Sequence, residues 1–500
     1  MRVVQNPQMQ IGEVDIAAIT FDPRSRDDIP KILRGLQHLY TDLPLRQALF
    51  QLLEAQIAPS VDKRNGRPGM SLWAIFVCGV IRLDLNIDYD RLHELVNHHN
   101  TLREMLGHGA FDKADYHYQT LKDNVRLFTP ELLDQINQLV VNSGHLVAKK
   151  KSGEALRGRC DSFVVETDVH YPTDINLLFD AMRKIITLTA QWSEECGFSD
   201  WRQHAYNVGH VKRSMRRAQN KKRSKAQSDE QQAKNAALAI TAHQDYLDVS
   251  QRYLDKAKST LNLLAQQGFI SELDVVRKLE IETFMAHAER QIDQTKRRVI
   301  LGETIPHGEK VFSLFEPHTE WISKGKAGVP VEFGVKVCLL EDQYQFILHH
   351  QVMEKQTDDQ VTVSMVTQAK QRFPQLAACS FDKGFHSTAN QNALREHLTL
   401  VALPRKGKLS KGAQEIEQSA DFVKARRAHS AVESAINALE VHGLDICRDH
   451  GIAGFKRYVA WAVVARNIHR IGALLWEQEQ ARTRRNENRT AHAPPFKQAA

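Results

Sequence analysis

Over the first 150 residues, apolar positions recur every three or four places, the period of a helix with one buried face. IPKILRGLQHLYT and PLRQALFQLLEAQI carry this spacing on either side of Thr41-Asp42-Leu43-Pro44, predicting two helices joined by a tight turn. Such a pair suits a helix-turn-helix and suits a plain bundle equally well. DKRNGRPGMS breaks the pattern with turn residues. MSLWAIFVCGVIRL and DYDRLHELVNHHNTLREML resume it. TPELLDQINQLVVNSGHLV offers Thr129 as N-cap, Pro130 at the first helical position and Glu131 soon after. Residues 1–150 therefore predict an all-helical N-terminal domain, a candidate DNA-binding module.

After the polar joint KKSGEALRG the period shortens. RCDSFVVETD gathers β-branched and aromatic residues and predicts a strand. HYPTDINLLFDAMRKIITLTAQWSEEC predicts a turn and a helix capped by Thr173 or Asp174. Residues 191–305 are polar and predict long helices, with an antiparallel pair the plain arrangement. GVPVEFGVKVCLLED and QYQFILHHQVME predict a hairpin reversing at Glu341-Asp342. A helix begins near Asp358 or Asp359. LAACSFDKGFHS is a buried strand ending at Asp382, with Gly384 in the turn. A further helix, the strand in TLVALPRKGK, and two helices follow. The order gives a mixed α/β core, residues 151–190 and 306–478, interrupted by a helical insertion, 191–305. The basic tail, 479–500, is expected to be disordered.

Composition narrows the class. The 500 residues are 42% apolar and 25% charged, the balance of a globular chain. No apolar run reaches the length of a membrane span, and the N-terminus lacks a signal-peptide core, so no membrane association and a cytoplasmic location are expected. Six scattered cysteines without a CxxC pair suggest reduced thiols and no structural zinc. His98-His99 and His349-His350 lack metal-ligand spacing and read as surface or hinge residues. The net charge of +7 permits a polyanion partner without requiring one. Its distribution says more: HVKRSMRRAQNKKRSKAQ, KRR at 296–298, PRKGKLSKG and KARRAH are dense basic runs. The first contains Lys212 and Arg213, candidate phosphate contacts.

Carboxylates sit at suggestive places in the α/β core. Asp161 opens the first strand, Asp382 closes a later one at a glycine turn, and Glu433 lies early in a helix. Each can face the C-terminal side of a central sheet, where α/β sites form. Carboxylates brought together repel unless a cation neutralises them, and Mg²⁺ suits hard oxygen donors. Two such ions about 4 Å apart serve phosphodiester cleavage and transfer. Surface acids and helix caps would look the same at this level.

Three ordered blocks carry a resemblance. DSFVVETDVHYPTDINLLFDAMRK, FDKGFHS, and HSAVESAINALEVHGLDICRDHGIAGFKRYVAWAVVARNIHRIG resemble the catalytic blocks of bacterial insertion-sequence DDE transposases of the ISNCY-like family. GRPGMSLWAIFVC, YDRLHELVNHHNTLREMLG and LFEPHTEWISKGKAGVPVEFGVKV extend the similarity over nearly the whole chain. The resemblance implies a ribonuclease-H-like core and Mg²⁺, with Mn²⁺ as substitute. It implies double-stranded DNA as partner, both terminal inverted repeats and target, acted on by a homodimer or larger assembly at the bacterial nucleoid. Asp161, Asp382 and Glu433 become the metal-binding triad. Phe163 stands where the family often has Thr. Asp168 rivals Asp161, and Glu440, seven residues beyond Glu433, rivals it in turn. Glu166 and Asp174 are supporting acids or caps. Trp321, Lys324, Lys326 and Lys383 are candidate DNA contacts. His450 in the RDHG turn is a proton-transfer candidate or part of a hydrogen-bonded turn. The alternatives to a transposase are a metal-dependent nuclease without strand transfer and an inactive, transposase-derived DNA-binding protein.

Overall fold

The structure, a computed structural model, describes residues 2–491 apart from 7, 10, 23, 57–68, 222–228, 267–270 and 324–329. The N-terminal helices begin where short polar side chains can cap them. Asp42 alone separates α1 (Ile29–Thr41) from α2 (Leu43–Glu54), and its carboxylate accepts the Leu45 N–H. Ser71, Asp88 and Thr129 cap α3 (Leu72–Asp84), α4 (Tyr89–His98) and α7 (Pro130–Val147) in the same way. Between them lie α5 (Asn100–Met105) and α6 (Tyr118–Val125).

These helices are not a domain apart, which differs from the boundary that periodicity predicts for residues 1–150. Every residue of α3 is buried, so it needs apolar cover on all sides. Part of that cover comes from the last helix, α17 (Gly451–Ala491). The Trp461 ring lies 5.9 Å from Phe76 and 4.9 Å from Phe128. Residues 1–168 and 322–500 accordingly form one compact unit with one core. The tail also departs from expectation. α17 continues to Ala491, its far half tied down by Arg34 on Glu479 at 2.7 Å and by Gln478 on the Val147 carbonyl. Residues 492–500 lie outside the described residues.

The same unit holds a mixed sheet. Its strands are β1 (Leu156–Thr167), β2 (Glu320–Ser323, of which Ile322 and Ser323 belong to this unit), β3 (Val331–Glu341), β4 (Ile347–Met353), β5 (Leu376–Phe381), β6 (Leu400–Ala402) and β7 (Ile446–Cys447). β1 is central, antiparallel to β3 and parallel to β5; β4 runs antiparallel to β3, and β6 parallel to β5. β7 takes over as parallel neighbour at the C-terminal end of β1, opposite Glu166 and Thr167. Gly334 allows β3 to approach β1, since a Cβ there would stand 2.1 Å from the Val165 carbonyl oxygen. His349 and His350 lie within β4 and not at a surface or hinge. Their rings are buried beside Arg372 and Asp134, and burial pushes both below the usual histidine range.

The second unit spans Val169–Trp321, wider than the 191–305 insertion expected. It contains α8 (Asp174–Glu195), α9 (His204–Lys221), α10 (Asp229–Gln266) and α11 (Glu272–Thr295). Thr173 caps α8 through the Asn176 N–H. The boundary moves because α8 buries Leu178, Met182, Ile185 and Ile186 in this unit's own core, with Trp201 and Tyr246. α11 packs chiefly on α8 and α10 on α9, so the unit is a four-helix cluster and not a two-helix pair. No described helix is long and apolar enough to cross a membrane.

Candidate functional site

The central strand sets the site. Cys160 on β1 pairs with Phe381 on parallel β5, so the next residues on each strand, Asp161 and Asp382, are neighbours by register. Parallel neighbours in register direct their side chains to one face, on strands about 4.8 Å apart. Asp382 follows the last residue of β5 and is exposed. The helices α12 (Asp358–Arg372), α13 (Thr388–His397), α14 (Lys411–Gln418), α15 (Ala420–His429) and α16 (Ala431–Leu439) complete the first unit. α16 packs on β1 and carries Glu433, exposed, in its first turn.

The electrostatics show that these acids feel one another. Asp161 is pushed up to about 6, first by burial, then by the charges of Asp382, Asp358 and Glu433. The Ser162 N–H, 2.8 Å from the Asp161 carboxylate, works in the opposite direction. Asp358 begins α12 and accepts the Ser162 hydroxyl at 2.7 Å, with Lys336 3.3 Å away. Local sequence marks Asp358 only as a helix start. Its approach to Asp161 depends on the pairing of β1 with β3 and cannot be read locally.

His429, which the sequence does not single out, ends α15. Its Nδ1 lies 3.1 Å from the Ser380 hydroxyl. Burial lowers its pKa, and Arg159 lowers it further, against the opposing pull of Asp382 and Glu433. A 300 Å³ cleft runs along the sheet beneath α15, lined by Arg157, Arg159, Ser380, Asp421, Lys424 and Ala428.

The other candidates are distributed along both units. Asp168 lies seven residues beyond Asp161, past the end of β1, roughly 20 Å along the strand direction. Asp174 pairs with Arg298 at 2.9 Å within the second unit. Glu440 starts a wider, π-type turn (Glu440–Leu444) in which His442 and Gly443 leave helical geometry. Glu440 itself keeps helical angles, so it lies about two turns beyond Glu433 near the same face, and the break comes after it. Lys383 is exposed directly after Asp382. Trp321 packs against Phe312 at 5.8 Å and His307 at 6.4 Å. Lys324 and Lys326 lie outside the described residues. Lys212 and Arg213 are exposed on α9 with Arg216 and Arg217, opposite the buried Val211, Ser214, Met215 and Ala218. In the RDHG turn, Asp449 forms a buried ion pair with Arg82 at 2.8 Å.

Among the described residues, one group of three has ligand atoms all within 4.8 Å of one another, and it is elsewhere: Asp84, His442 and His469. This buried group is able to hold a metal ion. No local motif announces it, because its members are 358 and 27 residues apart and converge only through tertiary packing.

No family model matches the chain, and no protein of curated function and no solved structure matches it either.

Proposed function

We propose that the chain is a DDE-type transposase with a ribonuclease-H-like core. In this reading it cleaves insertion-sequence ends and joins the resulting 3′-hydroxyl to target DNA. The observation that carries the reading is the register of β1 and β5, which sets Asp161 beside Asp382, with the helix bearing Glu433 packed over β1. The strand order, antiparallel β4-β3-β1 followed by parallel β5 and β6, supports the core assignment.

The residues fit divalent ions. Asp161, Asp382 and Glu433 offer hard oxygen donors, and after burial, the charges of Asp382, Asp358 and Glu433 push Asp161 upward, a cluster that a divalent ion would relieve. Three carboxylates, one on β1, one just after β5 and one on a helix, suit a pair of ions better than one. Bound Mg²⁺, or Mn²⁺ in its place, would activate the attacking hydroxyl and stabilise the departing 3′ oxygen. In this reading Asp161 and Asp382 would hold the ions from the sheet and Glu433 from the helix. Lys383, exposed directly after Asp382, would meet a phosphate oxygen of the scissile strand. The chemistry is two displacements at phosphorus. Water attacks first, breaking the bond to the 3′ oxygen and leaving a free 3′-hydroxyl. That hydroxyl then attacks a target phosphodiester, whose own 3′ oxygen departs.

The test is incubation with labelled element-end DNA and a target plasmid in Mg²⁺ or Mn²⁺. Joined product is expected from the native chain, with losses of at least about 1000-fold in Asp161→Asn, Asp382→Asn and Glu433→Gln. Nicks without joining would leave a nuclease. Specific end binding with no cleavage would leave a DNA-binding protein.

A further inference from the structure

We propose that Asp84, His442 and His469 bind one divalent transition-metal ion of the zinc class. The ion ties the turn behind α16 to α3 and α17. This inference is independent of the transposase reading. The three ligands come from separate elements of the first unit. Asp84 is the last residue of α3, His442 lies in the π-type turn after α16, and His469 lies within α17.

The geometry has the dimensions of a coordination shell. His469 Nδ1 is 3.0 and 3.1 Å from the two Asp84 carboxylate oxygens, facing the open bite of the carboxylate. His442 Nδ1 is 3.8 Å from the nearer oxygen, and the two rings are 4.9 Å apart. Bonds of about 2.0–2.2 Å in a tetrahedral shell separate neighbouring donors by roughly 3.3–3.6 Å, so small ring movements close the set. The Asp84 carboxylate has no solvent exposure, while His442 retains 14%, giving an ion a way in. The His442 Nδ1 also contacts the Asp84 main-chain oxygen. Metal binding moves the proton of each neutral imidazole from Nδ1 to Nε2.

The donor set selects the metal. Two imidazoles and a carboxylate suit Zn²⁺ and its neighbours and do not suit Mg²⁺ or Ca²⁺. Asp28 lies within electrostatic reach of both histidines and adds negative charge outside the shell, while Arg466 opposes it near Asp84. The expectation of no structural zinc rests on cysteine spacing, and this set uses no cysteine. A turn that holds Gly443 at φ +106° brings His442 into place, and a bound ion would fix that turn behind Glu433.

The full chain, stripped with chelator and dialysed, is titrated with Co²⁺ and then Zn²⁺. One Co²⁺ per chain is expected, with the visible spectrum of a tetrahedral nitrogen and oxygen site, displaced by Zn²⁺. X-ray absorption of the zinc-loaded native chain should show two imidazoles and no sulfur. His442→Ala and His469→Ala should weaken binding by roughly 100-fold or more, since losing an outer-shell partner alone costs about 10–100-fold. His204→Ala, on the exposed surface of α9, should leave it unchanged. Absence of stoichiometric uptake, sulfur in the shell, or unchanged binding in both variants would overturn the proposal. If a variant fails to fold, the absorption spectrum of the native chain decides alone. DNA cleavage is measured separately, so either reading can fail without the other.

Discussion

At the scale of single residues, Asp161 gives the sharpest prediction. Its carboxyl is raised from 3.8 to about 6, so the fold favours its protonated form. That contribution is complete below about pH 3.8 and is lost as pH rises through about 6. Without divalent ions, Asp161→Asn should therefore be more stable than the native chain near pH 8, by about 3 kcal/mol. The gain should vanish near pH 4. Urea unfolding at the two pH values, with chelator present, measures it. A second residue carries a structural role instead. The Arg82 and Asp449 side chains are 2% and 6% exposed, and Asp449→Ala would strand a buried guanidinium. A loss of about 3–5 kcal/mol is expected, read as a lower urea midpoint. Asp161 and Asp382 stand out in the sequence because each opens or ends an apolar run. Asp358, His429 and the Asp84 group do not, since their partners are chosen by strand pairing and helix crossing.

At the scale of elements, the close crossing of α1 and α17 is decisive. A Cβ at Gly472 would lie 1.9 Å from the Lys31 carbonyl oxygen, and one at Gly35 would lie 2.4 Å from that of Ile468. Gly472→Ala must push the helices apart and should cost about 1–3 kcal/mol, visible as a lower melting temperature. Caps and periodicity make most elements legible. Thr129 and Thr173 cap their helices, the hairpin turns after Glu341, and β5 stops at Phe381, one residue before Asp382. The packing of the elements is not legible. α3 shows only an unbroken apolar run, which names no partner, and α8 has one apolar face that would suit the sheet as well as α11.

At the scale of the whole molecule, the basic charge of the second unit offers a measurable surface. α9 exposes Lys212, Arg213, Arg216 and Arg217 together. If the proposed DNA-binding function holds, replacing all four with Gln should weaken DNA binding and flatten its dependence on salt. The slope of log K against log salt should fall by about 0.9 for each phosphate that is no longer neutralised. Binding measured across a salt series, with an unchanged thermal melt as control for folding, checks it. An unaltered slope would remove α9 from the DNA surface.

The first unit is assembled from the two ends of the chain. During synthesis, β1 emerges more than 200 residues before its parallel neighbour β5, and α3 emerges long before α17 can cover Trp461's partners Phe76 and Phe128. The nascent N-terminal half must then wait on the ribosome with an apolar helix uncovered, while the contiguous second unit can fold as soon as it clears the exit. Chaperone demand should fall chiefly on the early helices, and a chain released before α17 should aggregate through them.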